Sequence, residues 1–362
     1  MSDVGPAIDA TAVRFRLRLA ARGVRAVRLC QEVTRPRNGP ALTRRPRTSI
    51  WEAGIPRPPV DRLEYQFEVE HSDGSQQRAL DPHNRRTAPG PFGDKSVVEF
   101  PEYRPPAWLE AGPQVDGRRI EVTVTSEVLG AQVTIGLWAS PGIDVEHEAP
   151  LLIVHDGSEY ARYSALLQFL SAMVTARRLP PLRVALLPPV DRNEHYAACP
   201  RYARALAREL VPVLDWLAPQ PPARYDGRSW RVGLGASLGA LATLHAHRRY
   251  PHLFGAMFLQ SGSFFQRHVD SQEAGFPRFD RIARFVATVT DAATARNPVS
   301  VGMTCGTIEE NLANNRRMRD ALALQGYEVT LAEHRDGHNW ISWRDAFDPH
   351  LTALLARVWH EA

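Results

Sequence analysis

The stretch GLGASLG, residues 233–239, sets Ser237 between Gly235 and Gly239 in the order G-x-S-x-G. A serine hydroxyl is a poor nucleophile until a base takes its proton, so the rest of the chain has to supply that base. The context favours catalysis over a plain turn serine. WRVGL (230–234) reads as a strand before the motif, and LGALATLHAHRRY (238–250) reads as a helix after it with a basic end. At such a strand-to-helix crossing the serine sits on a strained turn with its Oγ exposed, and the two glycines leave room for the crossing. The backbone N–H of Leu238, at the helix start, then points at a developing oxyanion.

The base should come last in chain order, after the final strand. His338 in HRDGHNW (334–340) occupies that place, with Gly337 permitting a tight turn; His334 falls at the end of the strand pattern, and His350 and His360 lie in or beyond the last helix. His338 is therefore the expected base. An acid belongs after the preceding strand, where TIEEN (307–311) offers Glu309 and Glu310, both of which would also suit a helix N-terminus. Glu309 is preferred, and a Ser–His dyad without an acid stays open. HDGSEY (155–160) follows the third strand of this region, so the backbone N–H of Gly157 or Ser158 is the expected second oxyanion donor.

Two kinds of periodicity must position these residues. VRFRLRL (13–19) and LEYQFEVE (63–70) alternate apolar with charged side chains, as half-buried strands do. Arginines line the outer face of one and glutamates that of the other, so pairing of the two as neighbours would match their charges. The proline-rich stretches around 36–59 read as loops, HSDGS (71–75) as a turn, and PEYRPPAWLEAGP (101–113) as a linker. Residues 1–105 are thus expected to form a small antiparallel β-sandwich. Beyond the linker, IEVTVTSE (120–127) and AQVTIGLWAS (131–140) suggest a hairpin. Short apolar runs at 151–157, 182–189, 230–236, 254–262, 298–306 and 327–334 then alternate with helical patterns such as 201–217 and 310–326. Strands alternating with helices mean a mostly parallel sheet covered on both faces, and an antiparallel opening before it is the α/β-hydrolase order. Residues 106–362 are expected to take that fold.

Composition narrows the function classes. Among 362 residues, 44% are hydrophobic and 23% charged, which describes a soluble globular chain. The first twenty residues lack the basic-then-apolar order of a signal peptide, and no run of about 18 apolar residues occurs, so the expected compartment is the cytoplasm, without a membrane partner. Cys30, Cys199 and Cys305 are odd in number and far apart, which suggests neither disulfides nor a zinc site; no metal or cofactor is expected, and Cys305 reads as a buried strand residue. Lys95 is the only lysine among 44 basic residues, and the formal net charge is +4. An arginine surplus reflects genomic composition or favours anionic ligands. Nucleic acid is not expected, because the arginines are scattered and no basic helix or recognised module accompanies them.

LLIVHDGSEY, DRNEHYAACPRYARALARELVP, GASLGALATLHAHRRYPHLFGAMFLQSGSFF, GTIEENLANNRRMRDAL and GHNWISWRDAF, with DPHNRRTAPGPFGDKSVVEFPEYRPPAWL before them, cover most of residues 80–350. In these pieces the chain resembles the enterochelin (ferric siderophore) esterase family. The resemblance implies an N-terminal immunoglobulin-like sandwich joined to an esterase-D type α/β-hydrolase domain. Its nucleophile, histidine and glutamate fall on Ser237, His338 and Glu309. Its R-x-E element resembles Arg192-Asn193-Glu194, which makes Arg192 a candidate substrate contact; an ion pair with Glu194 or Asp191 is the alternative. The implied activity is hydrolysis of the ester backbone of an imported ferric siderophore, with no metal needed by the enzyme itself. Trp340, Trp343, Phe264 and Phe265 are candidates for the pocket or for the core. Another esterase or acyl-transfer enzyme of the same fold, of the feruloyl or S-formylglutathione type, is the nearer alternative, and an inert glycan-binding protein the more distant one.

Overall fold

Val13, Phe15 and Leu17 are buried while the arginines between them reach outward, because successive side chains of a strand point to opposite faces. In the computed structural model, residues 4–20, 22–33, 38–112, 115–144, 146–222, 227 and 229–360 are described. Residues 1–3 of the N-terminal stretch, 36–37 of the proline-rich stretch and Pro113 at the linker's end lie outside them. The chain divides into two units: residues 1–104 with 306–309 and 335–342, and the remaining residues from Pro105 onward.

The first unit contains two antiparallel sheets. One runs in the order Ala7–Ile8, Ala12–Arg18, Ile50–Pro56, Thr43–Arg44. The other runs Asn38–Ala41, Val24–Gln31, Arg62–His71, Lys95–Glu99, Thr87–Ala88, with Gln76–Ala79 also paired to Arg62–His71. Their apolar faces share one core, in which the rings of Phe15 and Tyr65 meet edge to face at 4.7 Å. This corrects the expected pairing of 13–19 with 63–70. Those strands lie in different sheets and turn their apolar faces toward a shared core, so their charges find other partners: Arg16 reaches Glu52, and Arg28 reaches Glu70. The 36–59 region is also corrected. It holds the strands Asn38–Ala41, Thr43–Arg44 and Ile50–Pro56, because Pro40 and Pro56 stand where a strand tolerates a missing N–H, near an edge or an end. The expected linker contains a short 3-10 helix, Ala107–Ala111.

The second unit is built on an eight-stranded sheet in the order Arg118–Ser126, Ala131–Ala139, Arg183–Leu187, Leu151–His155, Arg231–Ala236, Ala256–Gln260, Ser300–Gly306, Glu328–His334. The opening hairpin pairs antiparallel from Arg118↔Ala139 to Ser126↔Ala131, and the central strands from Arg183–Leu187 to Ser300–Gly306 run parallel. Leu151–His155 and Ala256–Gln260 are buried at every position, as strands covered by helices on both faces must be. The chain thus combines an α/β-hydrolase sheet with a β-rich unit. No helix among the described residues is long and apolar enough to cross a membrane.

Candidate active site

The strand Arg231–Ala236 ends at Ser237, and the helix Leu238–Arg249 starts at the next residue. The turn is forced: Ser237 has φ 56° and ψ −120°, a conformation that costs a non-glycine residue about 1–3 kcal/mol. Close contact across the crossing sustains it. A Cβ on Gly235 would lie 2.4 Å from the backbone carbon of Gly239, and one on Gly239 would press on His155 at 3.3 Å. Hydrogen bonds lock both ends of the serine's peptide units, with Ser237 N–H donating to the Gln260 carbonyl at 2.9 Å and Ser263 N–H to the Ser237 carbonyl at 3.1 Å. Its Oγ lies 3.1 Å from the Ser263 hydroxyl. Ser237 is half-buried, whereas its neighbours Ala236 and Leu238 are buried, so the turn pushes the hydroxyl outward.

Leu238 is the first helical residue, so its N–H has no acceptor within the helix and remains directed out of the helix end. The expected loop at HDGSEY is instead a one-residue turn. Asp156, at φ 53° and ψ 42°, joins the strand Leu151–His155 to a helix over Gly157–Tyr163, so Gly157 and Ser158 present first-turn N–H groups. Only glycine fits at 157, where a Cβ would meet the Leu186 Cα at 2.4 Å. His155 is buried, and burial lowers its pKa to about 4. Its Nδ1 meets the Thr243 hydroxyl at 3.0 Å, tying the strand to the helix that follows Ser237. Tyr160 is buried too and donates to the Gln260 Oε1 at 2.9 Å.

Arg192 makes an ion pair, but with neither acid that the sequence suggested. Its Nε and Nη2 hold the buried Asp156 carboxylate at 2.8–3.0 Å. Asp191 caps its own short helix through Glu194 N–H at 3.0 Å, and Glu194 is taken by Arg278 and Arg281. Arg192 therefore braces the turn that carries Gly157 and Ser158, with its side chain still 38% exposed.

In the first unit, His338 Nδ1 lies 2.7 Å from Glu309 Oε2. The other oxygen, Oε1, accepts the Gly306 N–H at 2.7 Å. The Glu309 carboxylate is buried, and the imidazole is 38% exposed. A carboxylate at Nδ1 keeps the proton on that nitrogen and leaves Nε2 as the acceptor. Asp336 shapes the loop: its Oδ1 accepts from Gly337 N–H at 2.7 Å and from the Asn339 amide at 3.0 Å, while Arg62 approaches Oδ2 at 3.4 Å. Gly306 admits this loop, since a Cβ there would strike the Asp336 carbonyl at 2.2 Å. Glu310 is exposed, and His334 ends the strand Glu328–His334 as expected.

Of the aromatic candidates, Phe264 and Trp343 are buried, the latter donating its indole N–H to Ser261 Oγ at 2.9 Å, whereas Phe265 and Trp340 are half-buried. All three cysteines are buried, and none is in a disulfide. Sequence reasoning missed Ser263, Asp156 and Asp336. The signal for Ser263 is its place in QSGSFF, just past the strand next to that of Ser237.

The family described as "Putative esterase" matches residues 126–354, well over half of the chain. The chain belongs to this esterase family. Its relatives include the iron(III) enterobactin esterase of Dickeya dadantii, 29% identical over 225 residues, which are 60% of this chain and 51% of that protein. The enzyme of the same name from Escherichia coli K12 is 27% identical over 206 residues, 55% of this chain and 50% of that one. The chain thus aligns with about half the length of these curated relatives. Among solved structures, the enterobactin esterase of Shigella flexneri, crystallised in the presence of enterobactin, superposes with a TM-score of 0.76 at 20% identity, over 99% of this chain and 96% of that one. The ferric enterobactin esterase of Salmonella typhimurium gives the same TM-score over 99% and 97%. At this identity the likeness is one of fold.

Proposed function

We propose that the protein is a serine carboxylic ester hydrolase that cleaves the ester backbone of ferric catecholate siderophores taken up into the cytoplasm. The observation that carries the reaction type is the strained Ser237 turn between the Gly235 and Gly239 contacts, which holds a half-buried serine at a helix N-terminus. The substrate class rests on similarity to the iron(III) enterobactin esterases, together with a net charge of +4 carried almost wholly by arginine.

In this reading Ser237 Oγ attacks the ester carbonyl as His338 Nε2 takes its proton. The Leu238 N–H, with that of Gly157 or Ser158, stabilises the tetrahedral oxyanion. The imidazolium, steadied by the Glu309 carboxylate, protonates the departing alkoxide, leaving an acyl-serine and a free alcohol. Water then attacks the acyl group, giving its proton to His338, and collapse of the second intermediate returns the proton to Ser237 with release of the acid. Iron is cargo. Opening the ester scaffold removes the linkage between chelating arms, so their avidity for the metal falls.

Product analysis by mass spectrometry on a panel of iron-loaded catecholate siderophores and neutral esters tests this. Hydrolysis of at least one ferric catecholate ester, lost by several orders of magnitude in Ser237→Ala and accompanied by fluorophosphonate labelling at Ser237, is the expected result. Faster turnover of neutral esters than of every catecholate would leave a general esterase, and labelling at another residue would remove the nucleophile.

A further inference from the structure

The first unit takes in residues 306–309 and 335–342, the segments that carry Glu309 and His338. Within that unit the β-rich part grips both segments. Ile308, beside Glu309, packs against the apolar core that contains Phe15, Tyr65 and Phe67. Asp61 N–H donates to the Arg335 carbonyl at 2.7 Å, and the Asp61 carboxylate accepts from Arg335 Nε at 2.8 Å. Past the histidine, Ile341 is buried with Ala88 and Val97, which belong to the paired strands Thr87–Ala88 and Lys95–Glu99. His338 therefore lies on a short arc fastened to the β-rich part before and after it.

Between these anchors the hold is electrostatic. Arg62 opens the strand Arg62–His71 with its side chain only 4% exposed, and its guanidinium stands 5.5 Å from the Tyr103 ring. Nη1 approaches Asp336 Oδ2 at 3.4 Å, and Nη2 approaches Glu64 Oε1 at 3.5 Å. Lys95 meets the other oxygen of Glu64 at 3.6 Å and Glu32 at 3.1 Å. This row of alternating charges ends on Asp336, whose Oδ1 holds Gly337 and Asn339, the residues flanking His338. A buried carboxylate stays ionised and in place only while a cation and donors satisfy it. Without Arg62, Asp336 gains by turning toward water, and Oδ1 then releases both neighbours of the imidazole.

We propose that the β-rich part of the first unit is a positioning device for the base, and that Arg62, acting through Asp336, sets the His338 ring against Glu309. Arg62 is a positioning residue, acting on the reaction only through the loop it holds. Its effect on turnover rests on the esterase reading of Ser237 and His338, whereas its coupling to the ring does not.

The test compares the full-length wild type with Arg62→Met, Arg62→Met plus Asp336→Asn, and Lys95→Met, on a neutral nitrophenyl ester well below each Tm. Arg62→Met should lower kcat by about tenfold to a hundredfold, as a small misplacement of a reacting group does, and change KM less than about twofold. The downfield ¹H NMR signal of the proton between His338 Nδ1 and Glu309 should broaden or vanish, which loss of stability alone does not cause in a chain still folded by circular dichroism. Adding Asp336→Asn removes the stranded charge but keeps an oxygen for Gly337 and Asn339, so kcat should return to within about fivefold of wild type. Lys95→Met disturbs the same row without reaching the loop and should leave kcat within about twofold and the ¹H signal intact. Should Arg62→Met fail to fold, Arg62→Lys replaces it with the same expected split, since an ammonium cannot span both carboxylates as the guanidinium fork does. Wild-type kcat with an intact ring signal in the Arg62 variant, or an equal loss in Lys95→Met, overturns the proposal. A wild-type chain without Ser237-dependent hydrolysis sinks the esterase reading and the role of Arg62 in turnover together. Hydrolysis by the wild type with an equally fast Arg62 variant sinks the positioning role alone.

Discussion

Glu309→Gln is the most informative single change, because both carboxylate oxygens are engaged. Oε1 accepts the Gly306 N–H and Oε2 faces His338 Nδ1, each at 2.7 Å. A glutamine offers one acceptor and one donor, so only one neighbour keeps its bond. With the amide oxygen toward Gly306, the NH2 points at Nδ1 and forces the imidazole proton onto Nε2, where the base has nothing left to accept with. The opposite flip restores the productive tautomer but sets NH2 against the buried Gly306 N–H, which costs about 1–3 kcal/mol. That cost leaves a productive fraction reduced by roughly 5–150-fold. Replacing a charged by a neutral partner also weakens support for the imidazolium by about 1–2 kcal/mol, another factor of roughly 5–30. Together kcat should fall roughly 25- to 4,500-fold, with KM little changed. Glu309→Ala lacks the misdirecting donor and lets water serve either tautomer, so it should retain more activity than Glu309→Gln. Steady-state rates on a nitrophenyl ester and ¹⁵N NMR of the His338 ring measure both effects. A glutamine variant within fivefold of wild type, or an alanine variant slower than the glutamine one, would refute the orienting role.

Gly235→Ala places a Cβ 2.4 Å from Gly239 backbone, so strand and helix must part; a loss of about 3 kcal/mol, or roughly 6–12 °C in Tm by calorimetry, is expected, and an unchanged Tm contradicts the packing. Arg192→Ala strands the buried Asp156 carboxylate; discounted for the exposure of Arg192, the loss should be about 1–3 kcal/mol, and adding Asp156→Asn should recover most of it in a double-mutant cycle. Burial lowers His155 and His247 to about 4 and His245 to about 3. Below about pH 6.5 the unfolded chain binds protons at these sites that the folded chain refuses, so stability should fall with pH by up to about 1.4 kcal/mol per unit for each histidine until their folded values are reached. Glu194 has the usual carboxylate sign: Arg281 and Arg278 hold it at about 2, so its contribution is present above about pH 4.5 and lost toward pH 2. Denaturant midpoints that stay flat from pH 6.5 to 5 would exclude this effect of the buried histidines.

Features carried by neighbouring residues are legible in the amino-acid order alone. Strand alternation at 13–19, the opening hairpin, the buried parallel runs and the serine turn all follow from side-chain period and local glycine placement, which act within a few residues. That an acid follows this strand is readable from position, but position does not separate Glu309 from Glu310: the two differ by one residue, and only the fold turns Glu309 inward to His338 while Glu310 meets solvent. Partner choice across long separations is decided by tertiary structure. Arg192 passes over Glu194 and Asp191 for Asp156, 36 residues away, because the adjacent strands Leu151–His155 and Arg183–Leu187 bring their two ends together. Arg16 finds Glu52 and not the glutamates of 63–70, because a strand's charge pattern names a face but not the strand beside it. Arg267, Arg278, Arg281 and Arg284 read as scattered charge in the chain and gather around one cavity only when the turn at Ser271–Glu273 folds the stretch back on itself. Local periodicity is a property of consecutive residues; which charges meet depends on chain entropy spent closing long loops, and that choice is made by the packed core as a whole.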